Sequence, residues 1–451
     1  MQNYIFFFIY CNNNVSKITN NIMTKKKTLF IVALLAAVTA CGQDTLWMSL
    51  DSCIAYAYRH NINIQTTQLN QQSAAASYEG AKWRFAPSVS ASASQSLSLN
   101  HGTSSLDGNY GVNANMTLFN GLNNVYNLRS ARITQEQSAL KVQQTLNDIG
   151  SQIITAYLTI MMNQERLLYQ EEVLKTAQQQ QQEGELKYSV GKMLESDYHL
   201  LVANSITAQS NITDTRITIQ NNQLALRTLL CMDDNVTIGI LEDFTNTLPQ
   251  ELLPTLDTAL AFSLRNLPDL YISQKDVELA QLNVKMAQAN FMPTLGLNAG
   301  ANYYDGNSGQ VSDNGTLVTS GGINSSVSLN LSIPILNRGT SHTQYKQSKI
   351  QLEQSQLQHD QTFIDLKKKV EGQYLNLMQS LNKYHSSQVL ESAYKDSYEV
   401  YVIKYAQGAV TTVEMLQQQD KYLSANADYL QNKYNYILEQ KILDIYMNSL
   451  R

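Results

Sequence analysis

The chain has 451 residues, of which 15% are charged, with a net charge of −5. Soluble domains usually carry about 25% charge, and no basic patch stands out, which excludes a nucleic-acid binder. Six Pro and twenty Gly are few for this length and suit long unbroken helices.

Residues 1–22 read as upstream read-through, with Met23 as the start. Residues 23–42 then form a signal peptide: Lys25, Lys26 and Lys27 precede the apolar run Leu29–Val38. That run is too short to span a membrane, so cleavage is expected. Val38-Thr39-Ala40-Cys41 fits a bacterial lipobox, which makes Cys41 the favoured lipidation site. Ala40-Cys41-Gly42 also fits a small-x-small cleavage site before Gln43. Cys53 and Cys231 read as two separate buried thiols, although an oxidising compartment permits a disulfide.

The first repeat is expected over residues 43–232. It opens with the amphipathic segment Leu50–Arg59 and an Ala-rich helix to about Trp83. From Pro87 to Asn100, Val89, Ala91, Ala93, Leu97 and Leu99 alternate with serines. Side chains on a strand point alternately to opposite faces, so this uncharged strand has one oily and one hydroxyl face. Membrane barrel strands have that pattern. It recurs at 110–119, where Tyr110, Val112, Ala114, Met116 and Leu118 alternate with small polar residues.

A long helix follows, from about Leu122 to Glu183. Leu146, Ile153, Ile160, Leu167 and Leu174 recur by sevens, beside a second stripe of Ile154, Met161 and Leu168. Heptads mean supercoiled packing, and two stripes mean a neighbour on each side. The helix ends at a hairpin tip near Gly191, and a second helix begins through Ser196-Asp197. Residues 233–254 contain Pro249 and Pro254 and read as a connector.

Residues 255–451 repeat the unit. Leu256–Arg265 matches Leu50–Arg59, strands are expected at 293–304 and 322–334, and a second tip lies near Gly408. Phe363, Val370, Leu377 and Tyr384 recur by sevens. Such a duplication outranks local propensity in deciding a fold. The fold class is mainly α, with paired long helical hairpins and four strands per protomer for a membrane β-barrel. Four strands cannot close a barrel, because the smallest need about eight, and open edges are not tolerated in lipid. The chain is therefore expected to oligomerise, as dimer or trimer.

The six histidines are scattered without metal-ligand spacing. No nucleophile motif or phosphate loop is present, so no enzyme, cofactor or metal is expected. Met161-Met162 reads as core filling.

The motif order, twice over, resembles the TolC-like outer membrane efflux proteins. It includes Asn266-Leu267-Pro268-Asp269-Leu270, Phe291-Met292-Pro293, Leu118-Phe119-Asn120-Gly121 and Lys187-Tyr188-x-x-Gly191. The resemblance spans about Ser49 to Met447. It implies a homotrimer with a 12-stranded outer membrane barrel and a periplasmic helical tunnel. It also implies a periplasmic adaptor (membrane fusion protein) and an inner membrane pump as partners. The function it implies is a passive exit duct for efflux or type I secretion.

By matching motif, Val190, Gly191, Lys192, Gln407, Gly408 and Ala409 would meet the adaptor. Asp197, Tyr405, Glu414 and Gln417 would form the tunnel gate. Val410 stands where an Arg is common in the family, and Gln417 replaces an acidic residue. The alternative is a periplasmic coiled-coil scaffold or adaptor, but an adaptor would carry a split β-rich region around one hairpin.

Overall fold

In a computed structural model, the described residues are 45–100, 103–233, 236–241, 253–311 and 317–448. Residues 1–22, expected to be read-through, and 23–42, expected to be a signal peptide with Cys41, lie outside them. The first repeat runs β1 (Thr45–Met48), α1 (Leu50–His60), α2 (Ile62–Trp83), β2 (Ser88–Asn100), β3 (Thr103–Asn120), α3 (Asn123–Ser189) and α4 (Glu195–Leu230). Strand β4 (Thr237–Ile240) lies between the repeats. The second repeat runs α5 (Leu256–Asn266), α6 (Pro268–Ala289), β5 (Thr294–Val311), β6 (Leu317–Ser332), α7 (Thr340–Ala406) and α8 (Thr412–Asn448).

The short helices are set by their caps. Ser49 Oγ accepts from the Ser52 amide at the start of α1. Asn61 breaks α1 from α2: its Oδ1 accepts from the amides of Asn63 and Ile64, and its Nδ2 donates to the Leu229 carbonyl. In the second repeat Pro268 opens α6, where its missing N–H costs nothing. Each 67-residue helix, α3 and α7, is about 100 Å long at 1.5 Å per residue.

The heptad stripe of α3 is largely internal. Ile153 and Ile160 are fully buried, with Leu146 and Leu167 packed at the edge of the same core. In the second stripe Ile154 and Met161 are buried within the chain, and Leu168 is 67% exposed on it. In α7, Val370, Leu377 and Tyr384 are buried and Phe363 is exposed. Cys53 is buried, Cys231 is half-buried, and neither forms a disulfide. No described helix is long and apolar enough to cross a membrane.

The strands form one antiparallel sheet in the order β2-β3-β5-β6. Registration places Ala93, Tyr110, Tyr303 and Ile323 in one row and Val89, Ala114, Ala299 and Val327 in another. Opposed residues share a face, so the apolar rows continue across all four strands. Ile323 and Val327 are 79% and 77% exposed. The opposite face carries rows such as Ser90, Asn113, Gly300 and Ser326.

Three features depart from the sequence expectation. The ladders are longer: β3 starts at Thr103, β5 reaches Val311, and β6 runs from Leu317 to Ser332 rather than from 322 to 334. Pairing continues through Ser, Asn and Gly wherever a partner strand lies alongside, so alternation marks only the apolar part. A register shift between Thr117 and Phe119 pairs Phe119 with Leu295 and drops Leu118 from the apolar row. The connector also holds β4, parallel to β1. The Trp47 ring covers Gly239, where a Cβ would meet the ring at 2.6 Å.

Candidate functional site

The hairpin tips carry most of the residues singled out from the sequence. At the first, the Gly191 amide donates to the Tyr188 carbonyl at 2.9 Å and the Lys192 amide to the Lys187 carbonyl at 2.7 Å. At the second, Gly408 donates to Tyr405 at 3.0 Å and Ala409 to Lys404 at 2.9 Å. This pair of bonds is the Schellman closure. It needs a left-handed residue, and both glycines have φ +72°. Nothing lies within 4 Å of where their Cβ atoms would sit, so backbone conformation alone asks for Gly.

The second helices of the two hairpins start differently. Thr411 and Glu414 form a reciprocal capping box. The Thr411 amide donates to Glu414 Oε2 at 2.8 Å, and the Glu414 amide donates to Thr411 Oγ1 at 3.2 Å. The Thr411 amide and hydroxyl hold the exposed Glu414 carboxyl below its ordinary pKa. The position matching Thr411 is Leu194, which makes no side-chain cap bond and is 70% exposed. The position matching Glu414 is Asp197, in the acidic first turn of α4.

Tyr405 lies beside the other hairpin: Lys187 Nζ sits 5.4 Å from its ring centroid. Tyr188 stacks on Tyr198 with centroids 5.4 Å apart, which closes the first tip. Within one protomer the described residues place no hydrogen bond between Asp197 and Tyr405. Gln417 is exposed on α8, as are Val190, Lys192, Gln407 and Ala409 at the tips. The structure thus brings Tyr405 to the first hairpin, Asp197 to a helix start and Glu414 to a cap.

The side chains that fasten the two hairpins to each other are far apart in the sequence. Asn204 Nδ2 donates to Gln419 Oε1 at 3.1 Å. Higher up, Lys433 reaches both Glu165 oxygens at 2.9 Å and the Tyr434 hydroxyl donates to Glu165 at 2.8 Å. These pairs are more than 200 residues apart and carry no local signal. The Thr411-x-x-Glu414 spacing is the sequence signal of the capping box. No described group of three His, Cys, Asp or Glu residues is placed to hold a metal ion.

A family model described as "Outer membrane efflux protein" matches residues 54–231 and 260–448. The outer membrane efflux protein BepC of Brucella suis biovar 1 (strain 1330) is 22% identical over 337 residues, 74% of this chain and 71% of BepC. Solved structures share the fold. CusC aligns with a TM-score of 0.76 at 18% identity, over 91% of this chain and 95% of CusC. The outer membrane protein VceC of Vibrio cholerae aligns with a TM-score of 0.71 at 14% identity, over 89% of this chain and 96% of VceC.

Proposed function

The chain belongs to the outer membrane efflux protein family, and from that premise we propose a homotrimeric exit duct closed at its hairpin tips. It resides in the outer membrane, with its helical hairpins forming a periplasmic tunnel. The observation that carries the assembly is the four-stranded sheet. Its apolar face is continuous, and its edge strands β2 and β6 have no further partner within the described chain. Edges in lipid must pair, and three copies give twelve strands, which falls in the size range of membrane barrels. The polar face then lines the lumen.

The tips face the periplasm and would receive an adaptor coupled to an inner membrane pump. The exposed Val190, Lys192, Gln407 and Ala409 flank the two capping glycines and offer that contact. Asp197, Tyr405, Glu414 and Gln417 lie at the same end and would each occur three times around the tunnel mouth. Repeated carboxylates in a confined site attract cations, so the isolated channel should be cation-selective.

Native mass spectrometry in detergent should give a trimer; a stable monomer would refute the assembly. In planar bilayers, Glu414→Gln should reduce cation selectivity. Unchanged selectivity would mean that Glu414 serves only its cap.

A further inference from the structure

We propose that Lys404 of each protomer caps the Tyr188 ring of its partner, so that a ring of Lys–Tyr contacts, alternately within and between copies, closes the tunnel mouth. The contact within a copy is seen directly: Lys187 Nζ lies 5.4 Å from the Tyr405 ring centroid. The contact between copies requires the homotrimer proposed above.

The internal duplication dictates where copies meet. Helix α3 and strand β3 match α7 and β6 at an offset of 217, and α2 and β2 match α6 and β5 at 206. The fold obeys these offsets. Ser88↔Asn115 and Asn100↔Thr103 in the first β-hairpin become Thr294↔Ser332 and Gly306↔Ser320 in the second. Closing a barrel needs a consistent stagger from strand to strand. Like hairpins around one axis meet that need when every step between repeats is the same. The contacts that join the first repeat to the second within a chain then recur where the second repeat meets the partner's first.

Burial marks that second seam. Gln137 of α3 is 6% exposed and donates to Asp276 Oδ1 on α6 at 2.7 Å. Its match Gln354 on α7 is exposed, and so is Asn70 on α2, the match of Asp276. Gln144 donates to Asp269 at 2.8 Å, and their matches Gln361 and Asn63 are also exposed. Both pairs keep a donor and an acceptor, since an Asn carbonyl can accept where a carboxylate did. At the sheet, Phe119 pairs with Leu295 and is 40% exposed, whereas its match Leu336 is 90% exposed. A partner copy covers what one chain leaves bare.

At the tips both residue types are duplicated, Lys187-Tyr188 matching Lys404-Tyr405. Lys187 and Tyr405, which meet, are half-buried; Lys404 and Tyr188 are exposed. Tyr188 gives one face to Tyr198, stacked at 5.4 Å with an interplanar angle of 2°, which leaves its other face to an ammonium. Within the chain Lys404 Nζ rests 5.4 Å from the Tyr401 ring centroid, on its own helix. An ammonium within about 6 Å of a ring centroid is drawn to the negative face of the ring.

The test uses the full-length protein purified as the trimer. Lys404→Cys with Tyr188→Cys, joined by a short bismaleimide, should give covalent dimers and trimers on a denaturing gel. Lys187→Cys with Tyr405→Cys should link within one chain and stay at monomer size, with the single cysteine variants as controls. In planar bilayers, Lys404→Met removes every contact between copies. At about two- to fivefold for each exposed contact, the open-to-closed ratio should rise about tenfold or more. Tyr188→Leu, which changes no charge, should give the same rise, and the double variant no more than either alone. Lys404→Arg should stay near wild type. A trimer by native mass spectrometry in which the Lys404→Cys/Tyr188→Cys pair links no chains would overturn the ring and leave the assembly standing. A protein that is not a trimer would fail both. Additive effects of the two single variants would also overturn the contact.

Discussion

The two long hairpins share one frame and fill it with different chemistry. At an offset of 217, Ile153 and Ile160 of α3 match Val370 and Leu377 of α7, and Leu167 and Leu174 match Tyr384 and Glu391. On the returning helices Ser205, Ile212, Ile219 and Leu226 match Tyr422, Tyr429, Tyr436 and Leu443. The first seam is mainly aliphatic. The second is a run of tyrosines: Tyr384 stacks on Tyr429 and Tyr436 at 5.9 and 6.1 Å, and Tyr398 stacks on Tyr422 at 5.9 Å. The heptad fixes where contacts fall, but it leaves open what makes them. Burial pushes the Tyr422 and Tyr429 phenols up to about 12, with the Glu391 charge adding to the effect at both.

The largest test of this contrast removes one ring. Tyr436 is 1% exposed, and truncating a buried aromatic leaves a cavity, so Tyr436→Ala should cost about 3–5 kcal/mol. Ile219→Ala at the matching place in the first hairpin removes less surface and should cost less, towards the lower end of about 2–5 kcal/mol. Guanidinium unfolding followed by helical circular dichroism makes the comparison. Equal losses would mean that the larger ring is worth no more than the isoleucine it matches, and that stacking adds no stability to the second seam.

The middle test exchanges the caps. Thr411→Ala removes a hydroxyl cap, worth about 0.5–2 kcal/mol to its helix. Amides in the first turn of α8 should exchange faster, with the first tip unchanged. Leu194→Ser should do the converse and slow exchange at the start of α4. If neither substitution moves local exchange, the tips are held by assembly contacts and not by their caps.

Much of this design is visible in the residues themselves. Alternation at Val89–Ala93 and heptads at Leu146–Leu167 are direct prints of strand and helix periodicity. The matching offset of Gly191 and Gly408 marks the tips. The polar ends of the hairpin strands leave no print, since Ser, Asn and Gly pair without an apolar rhythm. The four-residue strands β1 and β4 are too short for any period to show. The tyrosine seam stayed hidden because tyrosine suits both surface and core, so the sevenfold spacing of Tyr422, Tyr429 and Tyr436 fixes no burial. At the candidate site, Glu414 was legible as a repeated charge and equally as the acid of a Thr-x-x-Glu box. The sequence holds both readings, and only coordinates reveal the bond to Thr411.

The smallest effect is a titration. Glu439 is half-buried on α8, where the matching position in the first hairpin is the neutral Asn222. Burial raises its pKa, against the opposing pull of a hydrogen bond from the Gln373 amide. A carboxyl whose folded pKa is raised keeps its proton at a pH where the unfolded chain has lost it. Unfolding then releases a proton, so stability falls as pH rises. The fall begins near the unfolded value, about 4.3, and ends at the raised folded value. Glu439→Gln removes that step and makes the position resemble Asn222. The variant should be more stable than wild type at neutral pH, and the gap should close as pH falls towards about 4. Asp148 and Asp444 are raised for the same reason, but they are present in both proteins and cancel in the difference. Thermal melts across that range decide the matter. A gap independent of pH would assign the effect to packing, and a variant less stable at pH 7 would show that the Gln373 bond outweighs desolvation.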